Sequence, residues 1–175
     1  MLFVFRLLLL VGLLLPQGVF AQDAVPFPAA FAGSWKGELE WFPPQGASRK
    51  VPMQMRIAPT DSGYYHWQLQ YGSDGADKRA YALLPVDTAS GHWRIDERNS
   101  ILLDCWWKGN KLHSVFSMNQ VTLLAAYWME QGNLHIEFVS FGKAAVTASG
   151  GVGLAPAVES FRVMSRQHAV LLKQL

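Results

Sequence analysis

The stretch AGSWKGELEW, residues 32–41, decides the fold class of this chain. It alternates large apolar residues with charged ones, namely Trp35, Leu39 and Trp41 with Lys36, Glu38 and Glu40. A period of two is typical of a β-strand that buries one face and exposes the other. An isolated strand leaves its backbone donors and acceptors unpaired, so the rest of the chain has to supply neighbouring strands.

Strand-like runs and turn signals alternate over the rest of the chain. YYHWQLQY, residues 64–71, sets apolar side chains against polar ones, and the GSDGAD that follows is a Gly/Asp turn. KGNK predicts a two-residue hairpin, because Gly109 and Asn110 tolerate the positive φ that such a turn requires. Successive hairpins form an antiparallel meander, and closure into a barrel removes its two open edges. The sequence therefore predicts an all-β fold, an antiparallel up-and-down β-barrel of about 8–10 strands.

Two segments depart from this pattern. VTLLAAYWM, residues 121–129, is a short apolar run, and periodicity alone does not separate a strand from a helix there. The stretch from Gly142 to Ala157 is rich in Gly, Ala and Ser and is predicted to be a loop. It is long for a connection in a compact domain, so both a lid over a cavity mouth and a mobile segment remain open.

Residues 1–21 are predicted to be a secretory signal peptide, which leaves residues 22–175 as one barrel domain. The segment holds one cation, Arg6, followed by an apolar run from Leu7 to Leu15. We expect cleavage after Ala21 and a periplasmic or secreted protein. Retention of the segment as a membrane anchor is the alternative, and membrane contact is expected only in that case.

Composition limits the classes of partner and the sources of stability. The chain carries a net charge of +2, and loss of Arg6 brings it to about +1, which gives no support for nucleic acid as a partner. Cys105 is the one cysteine, so no internal disulfide can form. Stability must come from burial, for which the chain offers seven Trp and six Met.

Gly33-Ser34-Trp35, at the start of the first predicted strand and shortly after the predicted signal peptide, resembles the Gly-x-Trp signature of the lipocalins. The resemblance is at superfamily level and implies a lipocalin-like, calycin-type bacterial exported β-barrel. In that family the tryptophan closes one end of the barrel and an arginine from the last strand packs across its ring. The resemblance assigns this role to Arg162, with Arg166 as the substitute. Such a pair gains cation–π energy in a partly dry site.

The sequence carries no enzyme signature, and we predict a non-enzymatic protein without catalytic residues. ASGGVGLA lacks the Gly-x-Ser-x-Gly spacing of a nucleophile elbow and the Lys-Ser/Thr of a phosphate loop. Cys105 lies among leucines and tryptophans with no cation to lower its pKa. Neither a metal nor another cofactor is predicted, because no ligand pattern accompanies the five histidines, which are His66, His92, His113, His135 and His168.

Barrels of this size are either filled by side chains or hold one small ligand, and we expect this one to bind a small hydrophobic ligand. The side chains expected by alternation to line the interior are Trp35, Trp41, Met53, Met55, Trp67, Tyr81, Trp107, Phe116 and Phe138. Three alternatives remain. One is a haem barrel that uses His168, as resemblance to the nitrobindin-like barrels implies, and another is a small outer-membrane barrel. The third is a structural or interaction domain with a filled core, whose protein partner the sequence does not indicate.

Overall fold

The computed structural model describes residues 26–175, so the predicted signal peptide and its cleavage site lie outside the described residues. Within that range, ten antiparallel strands form one closed barrel. The strands are β1 (Gly33–Phe42), β2 (Arg49–Pro59), β3 (Tyr65–Tyr71), β4 (Asp77–Asp87), β5 (His92–Asp96), β6 (Leu102–Lys108), β7 (Lys111–Met118), β8 (Val121–Glu130), β9 (Asn133–Ser149) and β10 (Val158–Lys173). One turn of 3-10 helix, Ala29–Phe31, precedes β1.

Every strand pairs with its neighbours in sequence, and β1 pairs with β10 to close the barrel. The all-β, up-and-down prediction is therefore confirmed. The helix alternative for residues 121–129 is wrong, since this run lies within β8 and pairs with β7 and β9. Among residues 26–175, no helix has the length and apolar character needed to cross a membrane.

The β6–β7 hairpin forms where KGNK predicts it. Gly109 and Asn110 have φ values of 55° and 61°. Positive φ at both central residues is the geometry of a type I′ turn, whose twist matches that of the flanking strands. The same geometry recurs between β8 and β9 at Gln131 and Gly132, with φ values of 51° and 79°.

One end of the barrel, here called the lower end, is closed by the chain that precedes β1. Phe27 stacks on Trp107 at 4.3 Å between ring centroids and meets Trp93 edge-on at 5.2 Å. Phe31 is 1% exposed, and its carbonyl oxygen accepts a hydrogen bond of 2.8 Å from Trp35 Nε1. The indole of the Gly-x-Trp start thus fixes the plug in place through a buried hydrogen bond.

The cation over the Trp35 ring is Lys173, not Arg162. Lys173 lies opposite Trp35 in the β1–β10 pair, and its Nζ is 5.5 Å from the ring centroid. Because β10 runs antiparallel to β1, the start of β1 meets the end of β10, and Arg162 lies near the other end of that strand. Arg166 also takes no part, since its Nη2 lies 2.7 Å from Glu137 Oε1.

β9 and β10 extend past the barrel as a two-stranded hairpin, residues 143–165, here called the arm. Gly142 is the last residue of β9 that pairs with β8, and Arg166 is the first residue of β10 that pairs with β1. Within the arm, β10 therefore has β9 as its only partner strand. All side chains from Lys143 to Val163 are exposed. The loop predicted from Gly142 to Ala157 is therefore wrong for its first half: β9 runs on to Ser149, because small and β-branched residues are compatible with an extended strand.

Candidate ligand cavity

A partly open cavity of about 140 Å³ lies inside the barrel towards the end opposite the plug, here called the upper end. Its apolar wall comprises Leu69, Ile95, Leu103, Phe116, Leu123, Ala125 and Phe138. Its polar side chains are Tyr71, Arg79, Tyr81, Glu97, Ser114, Tyr127 and Gln167. Below it, side chains such as Trp67, Met53 and Leu83, all 0% exposed, fill the barrel. The barrel is thus packed in its lower part, and this cavity lies in its upper part.

The cavity lies behind a break in the hydrogen-bonded wall. β6 and β7 are paired only between Trp106–Lys108 and Lys111–His113, next to their hairpin, whereas β7 pairs with β8 along its whole length. Beyond that point the Ser114 hydroxyl donates to the Asp104 carbonyl at 2.8 Å, in place of a backbone bond. Leu103 and Phe116 lie on the two sides of this seam and both line the cavity. The seam is the place where the wall is held by the fewest backbone hydrogen bonds.

Arg79 and Asp77 form a paired group at the cavity mouth. Arg79 Nε donates to Asp77 Oδ1 at 2.9 Å, and Nη2 donates to Oδ2 at 3.0 Å. These hydrogen bonds lower the pKa of Asp77 and raise that of Arg79, so both stay charged. The guanidinium also lies 4.7 Å from the centroid of the Tyr71 ring. Arg79 is therefore already occupied by a carboxylate and an aromatic face.

Three phenols contribute neutral hydroxyl groups to the cavity. Burial raises the pKa of Tyr71 to about 12, although the nearby Arg79 charge opposes this. Burial also raises the pKa of Tyr81, and the negative charge of Glu97 adds to that shift. The pKa of Tyr127 is raised well above its usual range by complete burial. At physiological pH these side chains are hydrogen-bond donors and acceptors without charge.

All nine side chains expected to line the interior belong to inward-facing strand positions, but only three of them line this cavity. These three are Tyr81, Phe116 and Phe138. Trp35, Met53, Met55 and Trp67 belong to the filled core. Trp107 stacks on Phe27 at the lower end, and Trp41 lies at the upper end with the Arg49 guanidinium 5.8 Å from its ring centroid.

Sequence reasoning missed the polar residues of the cavity, chiefly Arg79, Glu97 and Gln167. Charged and amide side chains are ordinarily assigned to the wet face of a strand. The sequence signal for these residues is their position in the strand alternation, because side chains two residues apart lie on the same face. Arg79 is two residues before Tyr81, and Glu97 is two residues after the buried Ile95. Alternation therefore places Arg79 and Glu97 inside, close to the barrel mouth.

His168 lies on the outer face of the barrel. Its neighbours Gln167 and Ala169 face the interior, so alternation turns His168 outward between Glu40 and Glu137 of the adjacent strands. Burial against the outer surface and the charge of Arg166 lower its pKa. The haem alternative requires His168 to point into the barrel, and this expectation is wrong because His168 faces outward. Among residues 26–175, no group of three or more His, Cys, Asp or Glu side chains is arranged to hold a metal ion.

Cys105 is a buried filler of the core. It is 0% exposed, and burial raises the pKa of its thiol to about 11. A thiol that stays protonated is a poor nucleophile. The adjacent Asp104 faces outward, where Arg94 Nε donates to Oδ1 at 2.9 Å and His92 Nε2 lies 2.9 Å from the same oxygen.

Comparison of the sequence with protein-family models gave no match, and comparison with curated proteins gave no match either. The ten-stranded antiparallel barrel is compatible with the calycin-type architecture that its Gly-x-Trp start resembles.

Proposed function

We propose that this protein is an exported, non-enzymatic barrel that binds a small ligand in the cavity at its upper end. The observation that carries the proposal is the cavity itself. It combines an apolar wall with a polar rim, on a barrel whose other end is closed by Phe27 and Phe31. Concave, mostly apolar sites with a few converging polar groups are the usual form of small-molecule sites.

The volume limits the size of the ligand. About 140 Å³ is well below the roughly 300–1,000 Å³ of sites for drug-sized ligands. It is close to the ~150 Å³ of an apolar cavity that accepts benzene. A single ring or a short chain fits this space, whereas a long-chain lipid or haem requires a larger cavity. The size of the cavity therefore limits the hydrophobic ligand expected from the sequence to a compact molecule.

The charges of the rim favour a ligand with a neutral polar group. Asp77 forms an ion pair with Arg79, so the net charge of Asp77, Arg79 and Glu97 together is that of the Glu97 carboxylate. A carboxylate ligand has to displace Asp77 and approach Glu97, and both steps are unfavourable. A hydroxyl group instead finds neutral partners in the Tyr71 and Tyr81 phenols and in the Gln167 amide.

The chemistry of the lining groups supports binding rather than catalysis. Phenols with raised pKa values are poor general bases at physiological pH, and the Cys105 thiol is held protonated. Export is supported by the predicted signal peptide. The intact mass of the protein recovered from the export compartment tests this, because cleavage after Ala21 gives a defined mass.

The outer face of the barrel disfavours the outer-membrane alternative. Spanning barrels are apolar outside, whereas this barrel carries ion pairs there, including Lys50 with Glu38 and Arg166 with Glu137. The interaction-domain alternative is favoured by a different observation, the exposed arm. Val152 and Leu154 at its tip are 81% and 105% exposed, so apolar surface there is accessible to another molecule.

A pair of tryptophan substitutions tests the proposed function. Phe116 lines the cavity, whereas its neighbour Val115 is 59% exposed on the outer face. Phenol is expected to bind saturably to the wild type and to Val115→Trp, and at least about tenfold more weakly to Phe116→Trp, in which the larger ring fills the cavity. Benzoate is expected to bind the wild type more weakly than phenol does. Isothermal titration measures both, and equal phenol affinity in the two variants would contradict the proposal.

A further inference from the structure

A groove of about 340 Å³ lies on the outside of the barrel across β1 to β4. Two adjacent cross-strand rows of outward-facing residues form most of its lining, and Trp35, Met55, Leu69 and Arg79 of the inward-facing positions complete it. One row contributes Gln54, Gln70 and Lys78, and the next contributes Ser34, Arg56 and Gln68. Side-chain alternation separates this groove from the interior cavity, since residues on these rows point away from the core.

The shape of the groove follows from barrel geometry and side-chain size. Twisted strands give a barrel the form of a hyperboloid, whose outer surface is concave along the strands. Short side chains, Ser34 and Ala80, lie at the two ends of the second row, and longer ones rise around them. The volume reaches the range of roughly 300–1,000 Å³ that is usual for small-molecule sites.

The groove is lined by cationic side chains. Its lining includes Arg56, Lys78 and Arg79 and no acidic residue, and of these three Arg79 is paired with Asp77. On other parts of the outer face, Arg94 is paired with Asp104 and Arg166 with Glu137. Among residues 26–175, neither Arg56 nor Lys78 belongs to an ion pair. Both charges are therefore available to an anionic group.

Glutamine amides provide the remaining polar surface. Gln54, Gln68 and Gln70 are half-buried, and Gln174 is held at one end by the hydrogen bond from its backbone N–H to the Ser34 carbonyl, 2.8 Å. Each amide offers both donors and an acceptor, as does each hydroxyl of a sugar. Cations next to an array of amides thus complement a molecule that carries several hydroxyls and one anionic group.

We infer that this groove is a second binding site, which takes a polyhydroxylated anion of the sugar-acid or sugar-phosphate class. Arg56 and Lys78 hold the carboxylate or phosphate, because charge-assisted hydrogen bonds are the strongest available there. The glutamine amides and the Ser34 hydroxyl bind the sugar hydroxyls. The wall of the barrel lies between this site and the interior cavity, and Leu69 and Arg79 belong to the lining of both.

Nuclear magnetic resonance of the side-chain amides tests this inference with three probes, glucuronate, glucose 6-phosphate and glucose. Saturable shifts of the Gln54, Gln68 and Gln70 amide signals with at least one anionic probe are expected. Glucuronate and glucose 6-phosphate distinguish the carboxylate from the phosphate source. Glucose lacks the anionic group, and its affinity is expected to be at least about tenfold lower.

Substitution of the groove cations Arg56 and Lys78 tests their role, and Arg162→Gln is the control, because it removes the same charge from a residue outside the groove. Arg56→Gln, and separately Lys78→Gln, is expected to weaken binding of the preferred anionic probe about tenfold or more. Arg162→Gln, on the arm, removes the same charge and is expected to leave the affinity unchanged. Equal loss in Arg56→Gln and Arg162→Gln overturns the inference, as does the absence of shifts in all three amides up to the solubility limit of the probes.

Discussion

Trp35 and Lys173 lie directly opposite each other in the β1–β10 pair, with the Lys173 ammonium 5.5 Å from the centroid of the indole ring. This contact joins the first strand of the barrel to the last. The same indole donates a hydrogen bond to the Phe31 carbonyl of the plug. One side chain therefore connects the closure of the barrel with the closure of its lower end.

Lys173 rather than Arg162 is expected to stabilise the Trp35 contact. An exposed cation–π pair contributes about 0.5–1 kcal/mol, so Lys173→Gln should lower the free energy of unfolding by that amount. Arg162→Gln should change it by less than about 0.5 kcal/mol, because the side chain is exposed on the arm. Urea unfolding measures both, and a larger loss in Arg162→Gln would restore the pairing that the lipocalin resemblance implies.

The hydrogen bond from Trp35 to Phe31 is expected to contribute about 1–2 kcal/mol. Trp35→Phe removes it, whereas Trp67→Phe serves as the control, because Trp67 Nε1 is buried without a hydrogen-bond partner among residues 26–175. Both substitutions remove a similar volume from a fully packed site. The free energy of unfolding should therefore fall further in Trp35→Phe, and an equal fall in both would show that the bond contributes nothing.

The Asp104 group is expected to make stability depend on acid pH. Hydrogen bonds from His92 and Arg94 lower the pKa of Asp104 in the folded state. A lowered pKa contributes stability that is present above the unfolded value of about 3.9 and is lost as the pH falls through the folded value. The difference in unfolding free energy between the wild type and Asp104→Asn should be largest near neutral pH and shrink below about pH 4.

The control for this titration is Asp61→Asn, which removes the same charge from an exposed turn. Chemical denaturation at several pH values between about 2.5 and 7 provides the comparison. A difference between the wild type and Asp104→Asn that stays constant over this range would contradict the expected linkage.

Removal of the arm is expected to leave the barrel folded. Side chains from Lys143 to Val163 are exposed, so replacement of Ala144–Phe161 by an Asn-Gly turn removes little buried area. The free energy of unfolding should change by less than about 1 kcal/mol. A loss several times larger, measured by urea unfolding, would mean that the arm is part of the folding unit.

The fold was predictable from sequence because strand alternation and turn chemistry are local. The period of two around Trp35 and the two-residue turn at Gly109-Asn110 are sufficient to predict strands and a hairpin. The length of β9 was not predictable, because its small residues suit a loop as well as a strand, and pairing with β10 decides between them. The partner of Trp35 required the register of β10, which depends on the whole barrel.

The cavity was predictable only in part. Alternation assigns Phe116 and Phe138 to the interior, but it does not give the height at which the packed side chains end. That height depends on how the volumes of Trp67, Met53 and their neighbours fill the barrel above the plug, which is a property of three-dimensional packing. Arg79 and Glu97 at the cavity mouth are not predicted from the sequence, because charged side chains are ordinarily assigned to the solvent-exposed face of a strand. Alternation along the strand places both of them on the inner face.

A ligand site inside the barrel is tested most directly by nuclear Overhauser effects between phenol and the methyl groups of the protein. Effects are expected to Ile95, Leu103 and Leu123, which line the cavity. None is expected to Leu102 and Val115, which are 54% and 59% exposed on the outer face. Effects to these two outer residues, with none to the three inner ones, would contradict a ligand site inside the barrel.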